Sequence, residues 1–185
     1  MTDFSIKPIL TGELVVLRVL DEQDFPAMKA AMDDPEVARL TGSHGAISDE
    51  KALEWMRTRK DQTDRLDLAI VDKATGETVG EAVLNDYDPD NQACNFRILI
   101  GPGGRGRGLG TEATRLIVGY GIEVLGLHRI SLGVYAFNPR AQRAYEKAGF
   151  VVEGRLRDDL LWEGEWVDSI VMSVLATEWP VSSGA

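Results

Sequence analysis

The sequence predicts an α+β domain built on one central mixed sheet flanked by about four helices. Three observations carry this. Residues 66–100 hold three strand-length apolar stretches joined by short turns, which reads as an antiparallel meander. After residue 100 strands and helices alternate, so at least one crossover is parallel and the sheet is mixed. The chain has 185 residues, 44% apolar and 27% charged, which fits one soluble domain over 1–185 that buries roughly 70% of its unfolded surface.

Residues 14–20, Leu-Val-Val-Leu-Arg-Val-Leu, read as a buried strand, with Arg18 forming a structural ion pair. Asp21 caps a helix, with Asp24 three residues on completing a capping box. Ser48 is a good N-cap for a second helix of about four turns, with Ala52, Leu53, Trp55 and Met56 as its apolar stripe. Residues 66–72 and 78–86 pair as a hairpin around Ala-Thr-Gly-Glu, where Gly76 supplies positive φ. A third meander strand runs from Cys94 to Ile100. A glycine-rich loop then feeds a helix from Thr111 to about Leu125, followed by a strand at 128–135. Asn138-Pro139 opens a last helix, which Gly149 ends. Residues 150–153 and 166–175 complete the order β-α-α-β-β-β-α-β-α-β-β.

Composition excludes several functions. Cys94 is the one cysteine, so there is no internal disulfide and no thiolate cluster for a metal; it reads as a small buried hydrophobe. His44 and His128 are too few for an all-histidine metal site, and no metal is expected. The opening residues lack the basic and apolar regions of a signal peptide, and no stretch reaches membrane length, so the expectation is a cytoplasmic protein without a membrane partner. The net charge of −10 argues against a nucleic-acid surface. That charge is uneven. Residues 1–90 hold 10 Lys and Arg against 20 Asp and Glu, whereas residues 91–185 hold 10 of each. Solubility explains this, or the first half lines a site for a cation.

The loop Gly101-Pro-Gly-Gly-Arg-Gly-Arg-Gly-Leu-Gly110 has six glycines in ten residues. Between a strand and a helix N-terminus it reads as an anion site. Free amides and the helix dipole point outward, and glycines let a phosphate approach the backbone. Arg105 and Arg107 are expected to add formal positive charge. Gly101-Pro-Gly-Gly-Arg-Gly106 also matches the dinucleotide pattern G-x-G-x-x-G, but the upstream meander is not the opening of a βαβ unit. No Gly-Lys-Ser/Thr follows, which excludes a P-loop.

Arg105-Gly-Arg-Gly-Leu-Gly110 resembles motif A of the GNAT acetyltransferase superfamily, Gln/Arg-x-x-Gly-x-Gly/Ala. The segment from Asn138 through Tyr145 to Gly149-Phe150 resembles its motif B. The tail, from Glu153-Gly-Arg-Leu-Arg-Asp158 through Trp162 to Asp168, and the opening Leu17-Arg18 with Asp21-Glu22-Gln23-Asp24, resemble one branch. That branch holds the ribosomal-protein N-terminal alanine acetyltransferases and the spermidine N-acetyltransferases. The resemblance implies acetyl-CoA as cosubstrate, with residues 1–90 on the acceptor side and 91–185 on the acetyl-CoA side. It implies a sheet splayed between the fourth and fifth strands of the order above. Amides from Arg105, Gly106, Arg107, Gly108, Leu109 and Gly110 to the helix start at Thr111 hold the pyrophosphate. The main chain of Ile98, Leu99 and Ile100 pairs with the pantetheine arm, Asn138 contacts it, and Tyr145 protonates the leaving thiolate. Tyr145 lies two helical turns past Asn138, so both can face one cleft. The alternatives are a packing aromatic at Tyr145 and plain helix capping at Asn138.

Asn95 departs from the branch, which commonly has a glutamate base there; asparagine takes no proton. An α-amine with a pKa of ~8 is about a tenth neutral at pH 7, whereas an alkylammonium near ~10.4 is less than a thousandth neutral. A missing base therefore costs an α-amine acceptor little and a polyamine much. Glu81, on the neighbouring strand, substitutes if it faces the cleft; otherwise it is an ordinary solvent-face glutamate. His44 is a further candidate base, or a solvated loop histidine. The reading is direct acetyl transfer to a primary amine, with a cationic peptide or protein α-amine as leading acceptor. A polyamine or aminoglycoside is the alternative, and a non-catalytic acyl-CoA sensor the reading from another class. The oligomer is a monomer or homodimer.

Overall fold

The computed structural model describes residues 2–180. One eight-stranded sheet has the order β1-β2-β3-β4-β5-β6-β8-β7. The strands are β1 (Leu10–Thr11), β2 (Val15–Val19), β3 (Leu66–Asp72), β4 (Thr78–Asp88), β5 (Ala93–Ile100), β6 (Arg129–Tyr135), β7 (Val151–Trp162) and β8 (Glu165–Leu175). Every neighbouring pair is antiparallel except β5 with β6. The helices are α1 (Phe25–Met32), α2 (Pro35–Thr41), α3 (Asp49–Arg57), α4 (Leu109–Glu123) and α5 (Pro139–Lys147).

Alternation along the strands builds three layers. Leu17, Leu66, Leu68, Ile70, Leu84 and Phe96 pack into one core with Leu109, Ala113, Ile117 and Val118 of α4. On the opposite face Ala69 packs with Leu20, Met28 of α1 and Met56 of α3. Arg18 pairs with the buried Asp24 through both guanidinium nitrogens, at 2.8 and 2.9 Å. Cys94 is buried and its thiol is pushed up to about 12 by burial, as a small core hydrophobe should be.

The order of the expected elements holds, with an added two-residue strand, β1, before the first of them and four further corrections. The capping box at Asp21 and Asp24 forms, but on a 3-10 turn over Glu22–Asp24, and α1 begins only at Phe25. Ser48 caps α3 as expected, yet α3 stops after nine residues; a second 3-10 turn, Arg59–Asp61, follows, and Arg59 folds back over the Trp55 ring. A third helix in this half, α2, escapes the sequence reading because it is short and buries only Val37. β7 runs through Trp162 rather than ending at residue 153. It is the edge strand, and from Val151 to Asp159 it is exposed on both faces, so it carries no apolar alternation to read. No described helix is long and apolar enough to cross a membrane.

Candidate active site

β5 and β6 pair in parallel only through Ala93–Arg129, Cys94–Ile130 and Asn95–Ser131. Beyond that point they part. β6 continues against β8 alone, and the Ile98–Ile100 edge that faced it has no strand partner. The splay opens a cleft of about 820 Å³, lined by Phe96–Ile100 on one side and Gly133–Tyr135 on the other. The glycine loop, α4 and α5 also line it, as do α2 and, from the β7–β8 hairpin, Asp159 and Ser169.

The loop reaches α4 through a 3-10 turn at Pro102–Gly104. Gly106 and Gly108 both take left-handed backbone, at φ +78° and +80°, which strongly favours glycine. A Cβ on Gly106 would meet nothing within 4 Å, so the amides here lie open to an approaching group. α4 starts at Leu109, two residues earlier than expected, with Gly108 at its N-cap and no side-chain cap on its first amides. Gly106, Gly108, Leu109, Gly110 and Thr111 all line the cleft.

The two loop arginines differ in placement. Arg107 donates to Asp72 and to the Gly103 carbonyl, both at 2.7 Å, and its side chain lies outside the cleft lining. Arg105 lines the cleft but hydrogen-bonds Glu36 of α2 and lies 3.7 Å from Asp34. Arg107 is therefore committed to the first half, whereas Arg105 is held there through Nη1 and keeps a buried Nη2 without a hydrogen-bond partner among the described residues.

Asn138 accepts from the Ala141 amide at 3.1 Å through Oδ1. That capping bond leaves Nδ2 as a donor, so capping and ligand contact are compatible. Tyr145 lies on the same side of α5, half-buried, with its ring against Phe96 and Phe150. Its hydroxyl makes no hydrogen bond among the described residues, and burial pushes its phenol up to about 12.

Of the three acceptor-side candidates, only Glu81 reaches the cleft. It is buried, with Oε1 accepting from Arg97 at 3.0 Å and Oε2 left without a partner. Burial raises its carboxyl above the ordinary value, and the Arg97 guanidinium only partly offsets that. The solvent-face reading of Glu81 is thereby replaced: the face it shares with Leu99 is covered by the helices of the first half. Asn95 sits at the closed end of the splay and donates to Asn85 at 2.9 Å. His44 is exposed, stacked 5.2 Å from Trp162, and outside the cleft lining.

The sequence reading missed the rest of the acceptor end. α2 contributes Glu36, Val37, Arg39, Leu40 and Thr41. It ends at Gly42, φ +64°, where a Cβ would come within 2.6 Å of the Tyr135 hydroxyl. Arg39 lies over the Phe137 ring at 4.4 Å. Asp159 accepts from Ser169 at 2.6 Å. Arg140, Arg143 and Lys147 of α5 line the cleft too. Among the described residues no group of His, Cys, Asp and Glu could hold a metal ion.

A mixed sheet opened beside its parallel pair, with a glycine turn feeding a helix at the mouth, defines a class, the N-acetyltransferases. The chain belongs to the acetyltransferase (GNAT) domain family, whose model matches residues 15–151. It is 24% identical over 174 residues to the SPbeta prophage-derived uncharacterized N-acetyltransferase YokL of Bacillus subtilis, covering 94% of this chain and 97% of that one. It is 32% identical over 111 residues, 60% of each chain, to the spermidine N(1)-acetyltransferase of Escherichia coli K12. The fold matches a crystal structure of spermidine N-acetyltransferase from Vibrio cholerae in complex with CoA and spermine, with a TM-score of 0.83 over 90% of this chain and 98% of that one, at 22% identity.

Proposed function

We propose that this single-domain protein transfers acetyl from acetyl-CoA directly to the α-amine of a peptide or protein N-terminus. The supporting observation is the buried Glu81 carboxylate in the acceptor end of the cleft, with one oxygen unpartnered. A buried acceptor without a donor is costly, and an incoming amine supplies the donor.

The cleft suits the donor. Amides from Arg105 to Thr111 take the pyrophosphate, and the free edge at Ile98–Ile100 takes the pantetheine arm as an added strand, with Asn138 Nδ2 on its other flank. Acetyl-CoA supplies an activated acyl group on a thiol leaving group. Glu81 binds the acceptor nitrogen and takes one of its protons. Tyr145, wholly protonated at neutral pH with its phenol near 12, donates a hydrogen bond to sulfur as the C–S bond breaks. It is a weaker acid than a thiol at ~8.5, so its role is to stabilise developing charge, and the proton lost by nitrogen balances the one the thiol gains.

The charges of the acceptor end favour a single amine. Glu36 is engaged by Arg105 and Glu81 by Arg97, while Arg39 adds a further cation. Among the described residues that line the cleft, Asp159 is the one carboxylate without an arginine partner for a polyamine to find. Spermidine is the second reading, because a relative of that name is 32% identical to part of the chain. Steady-state kcat/KM for basic N-terminal peptides and for spermidine decides between them. The α-amine reading expects the peptide to be the better substrate, and a clear preference for spermidine overturns it.

A further inference from the structure

We propose that Arg97 is a positioning residue for acetyl transfer: it holds Oε1 of Glu81, leaves Oε2 for the acceptor amine, and sets the pH above which Glu81 takes the amine's proton. The proposal rests on the reading of Glu81 as the base and adds the residue that governs it.

The sheet register brings the pair together. Glu81 of β4 lies opposite Ala69 of β3 and Leu99 of β5, and Val83 lies opposite Asp67 and Arg97. Side chains two apart on a strand share a face, so Glu81, Asp67 and Arg97 occupy one side of the sheet, with Arg97 on the diagonal from Glu81. The Arg97 side chain spans that diagonal, and its Nη2 donates to Oε1 at 3.0 Å. Both residues line the cleft; Glu81 is buried and Arg97 is half exposed.

Arg97 differs from the other cations nearby. The charged groups around Glu81 are Arg97, Asp67, Arg65 and Arg59. From the covering helices, α1 and α3 bring Met28 and Met56 against Ala69 on the same face. Arg65 is committed to Asp67, to which it donates through Nε and Nη2 at 2.8 and 2.7 Å. Arg59 donates to the Trp55 carbonyl and to the Thr58 hydroxyl, both at 2.9 Å, and lies over the Trp55 ring. Among the described residues Arg97 is the one cation bonded to Glu81, and Glu81 is the one hydrogen-bond partner of the Arg97 side chain.

A carboxyl acts as a base only when it is ionised. Burial and the like charge of Asp67 favour the protonated form of Glu81, and Arg97 opposes them. Without the guanidinium, burial and Asp67 are met only by the two committed arginines, so Glu81 stays protonated to higher pH. Both carboxyl oxygens then lack a bonded donor, and nothing fixes which of them meets the amine.

The test follows kcat/KM for a basic peptide with a free N-terminus across the acid limb of the pH profile. It compares the native chain with Arg97→Gln, Arg97→Lys, Glu81→Gln and the double variant Glu81→Gln/Arg97→Gln. In Arg97→Gln the acid limb is expected to move to higher pH, with kcat/KM on it about tenfold lower; that is the low end of what a close opposite charge does for a carboxyl, because water screens the half-exposed Arg97. Arg97→Lys restores a cation and should return the limb toward its native place. With Glu81→Gln in place, adding Arg97→Gln should leave the shape of the profile unchanged, since no carboxyl remains for it to act on. A limb that stays in place in Arg97→Gln, while Glu81→Gln abolishes it, overturns the proposal and leaves Glu81 as the base. An equal effect of Arg97→Gln with and without the Glu81 carboxyl overturns it too, and assigns Arg97 to folding or to acceptor contact. A native limb that survives Glu81→Gln removes the base reading, and this proposal with it.

Discussion

Replacing Glu81 by glutamine separates catalysis from stability. Glutamine keeps the shape and an oxygen for Arg97, which lies 3.0 Å away and is half exposed. It removes the carboxylate charge beside Arg97. The rate cost is bounded by the acceptor's own titration. An α-amine of pKa ~8 is about a tenth neutral at pH 7, so losing the base costs about tenfold; for an alkylammonium near ~10.4 the same loss is on the order of 10³-fold. Stability moves the other way. Burial raises the folded-state carboxyl above its unfolded value. Its contribution is then complete below the unfolded pKa and is lost as pH rises through the folded one, so Glu81 stabilises the chain less at pH 7 than at pH 3. Glu81→Gln is therefore expected to raise Tm at pH 7 and to leave it unchanged at pH 3. The assay is thiol release over pH 5.5–9 with a peptide acceptor, beside calorimetric melting. The native profile rises with pH through the Glu81 ionisation, and the variant profile follows only the amine. Unchanged kcat/KM and an unchanged profile at every pH would refute the assignment of Glu81 as base.

Tyr145→Phe keeps the ring between Phe96 and Phe150, so it should leave Tm and acetyl-CoA affinity intact and lower kcat by ~10²-fold. Because the phenol stands at about 12, the native rate should show no falling limb from this group below about pH 11; undiminished kcat would assign Tyr145 to packing alone. Gly108→Val forces a β-branched residue into φ +80° and should abolish the stabilisation by acetyl-CoA, about 2.7 kcal/mol at a hundredfold excess over Kd; a normal ligand-induced melting shift speaks against the loop. Burial raises the Asp24 carboxyl, but bonds from Arg18, Thr78 and the Asp21 amide outweigh it and hold the pKa below the usual value. Asp24→Asn should cost about 2–4 kcal/mol at pH 7. That difference should shrink as pH falls through the folded-state pKa, where native Asp24 protonates and loses its pairing; an acid melting curve parallel to the native one argues otherwise.

What the sequence made legible follows from chemistry that is local. Asp21, Ser48 and Asn138 each accept from an amide two or three residues on, so their caps can be read from a few letters. The glycine loop was legible because left-handed backbone at Gly106 and Gly108 leaves few residue choices. The acceptor end was not. Glu81 lies in the cleft because helices of the first half cover the sheet face it occupies, and no feature within β4 announces that cover. Arg105 and Arg107 looked available because their partners, Glu36 and Asp72, lie 69 and 35 residues away. His44 looked like a candidate base because the ring it stacks on, Trp162, belongs to a hairpin far along the chain.

The central claim is acetyl transfer, and product analysis tests it most directly. The native chain is incubated with isotopically labelled acetyl-CoA and a basic peptide with a free N-terminus; free thiol and labelled peptide are then quantified together. The account expects thiol release that depends on the peptide and equals the label incorporated, with the label on the α-nitrogen and not on lysine side chains. A chain that binds acetyl-CoA yet releases no thiol with peptide, polyamine or aminoglycoside is a sensor rather than an enzyme, and that result would contradict the account.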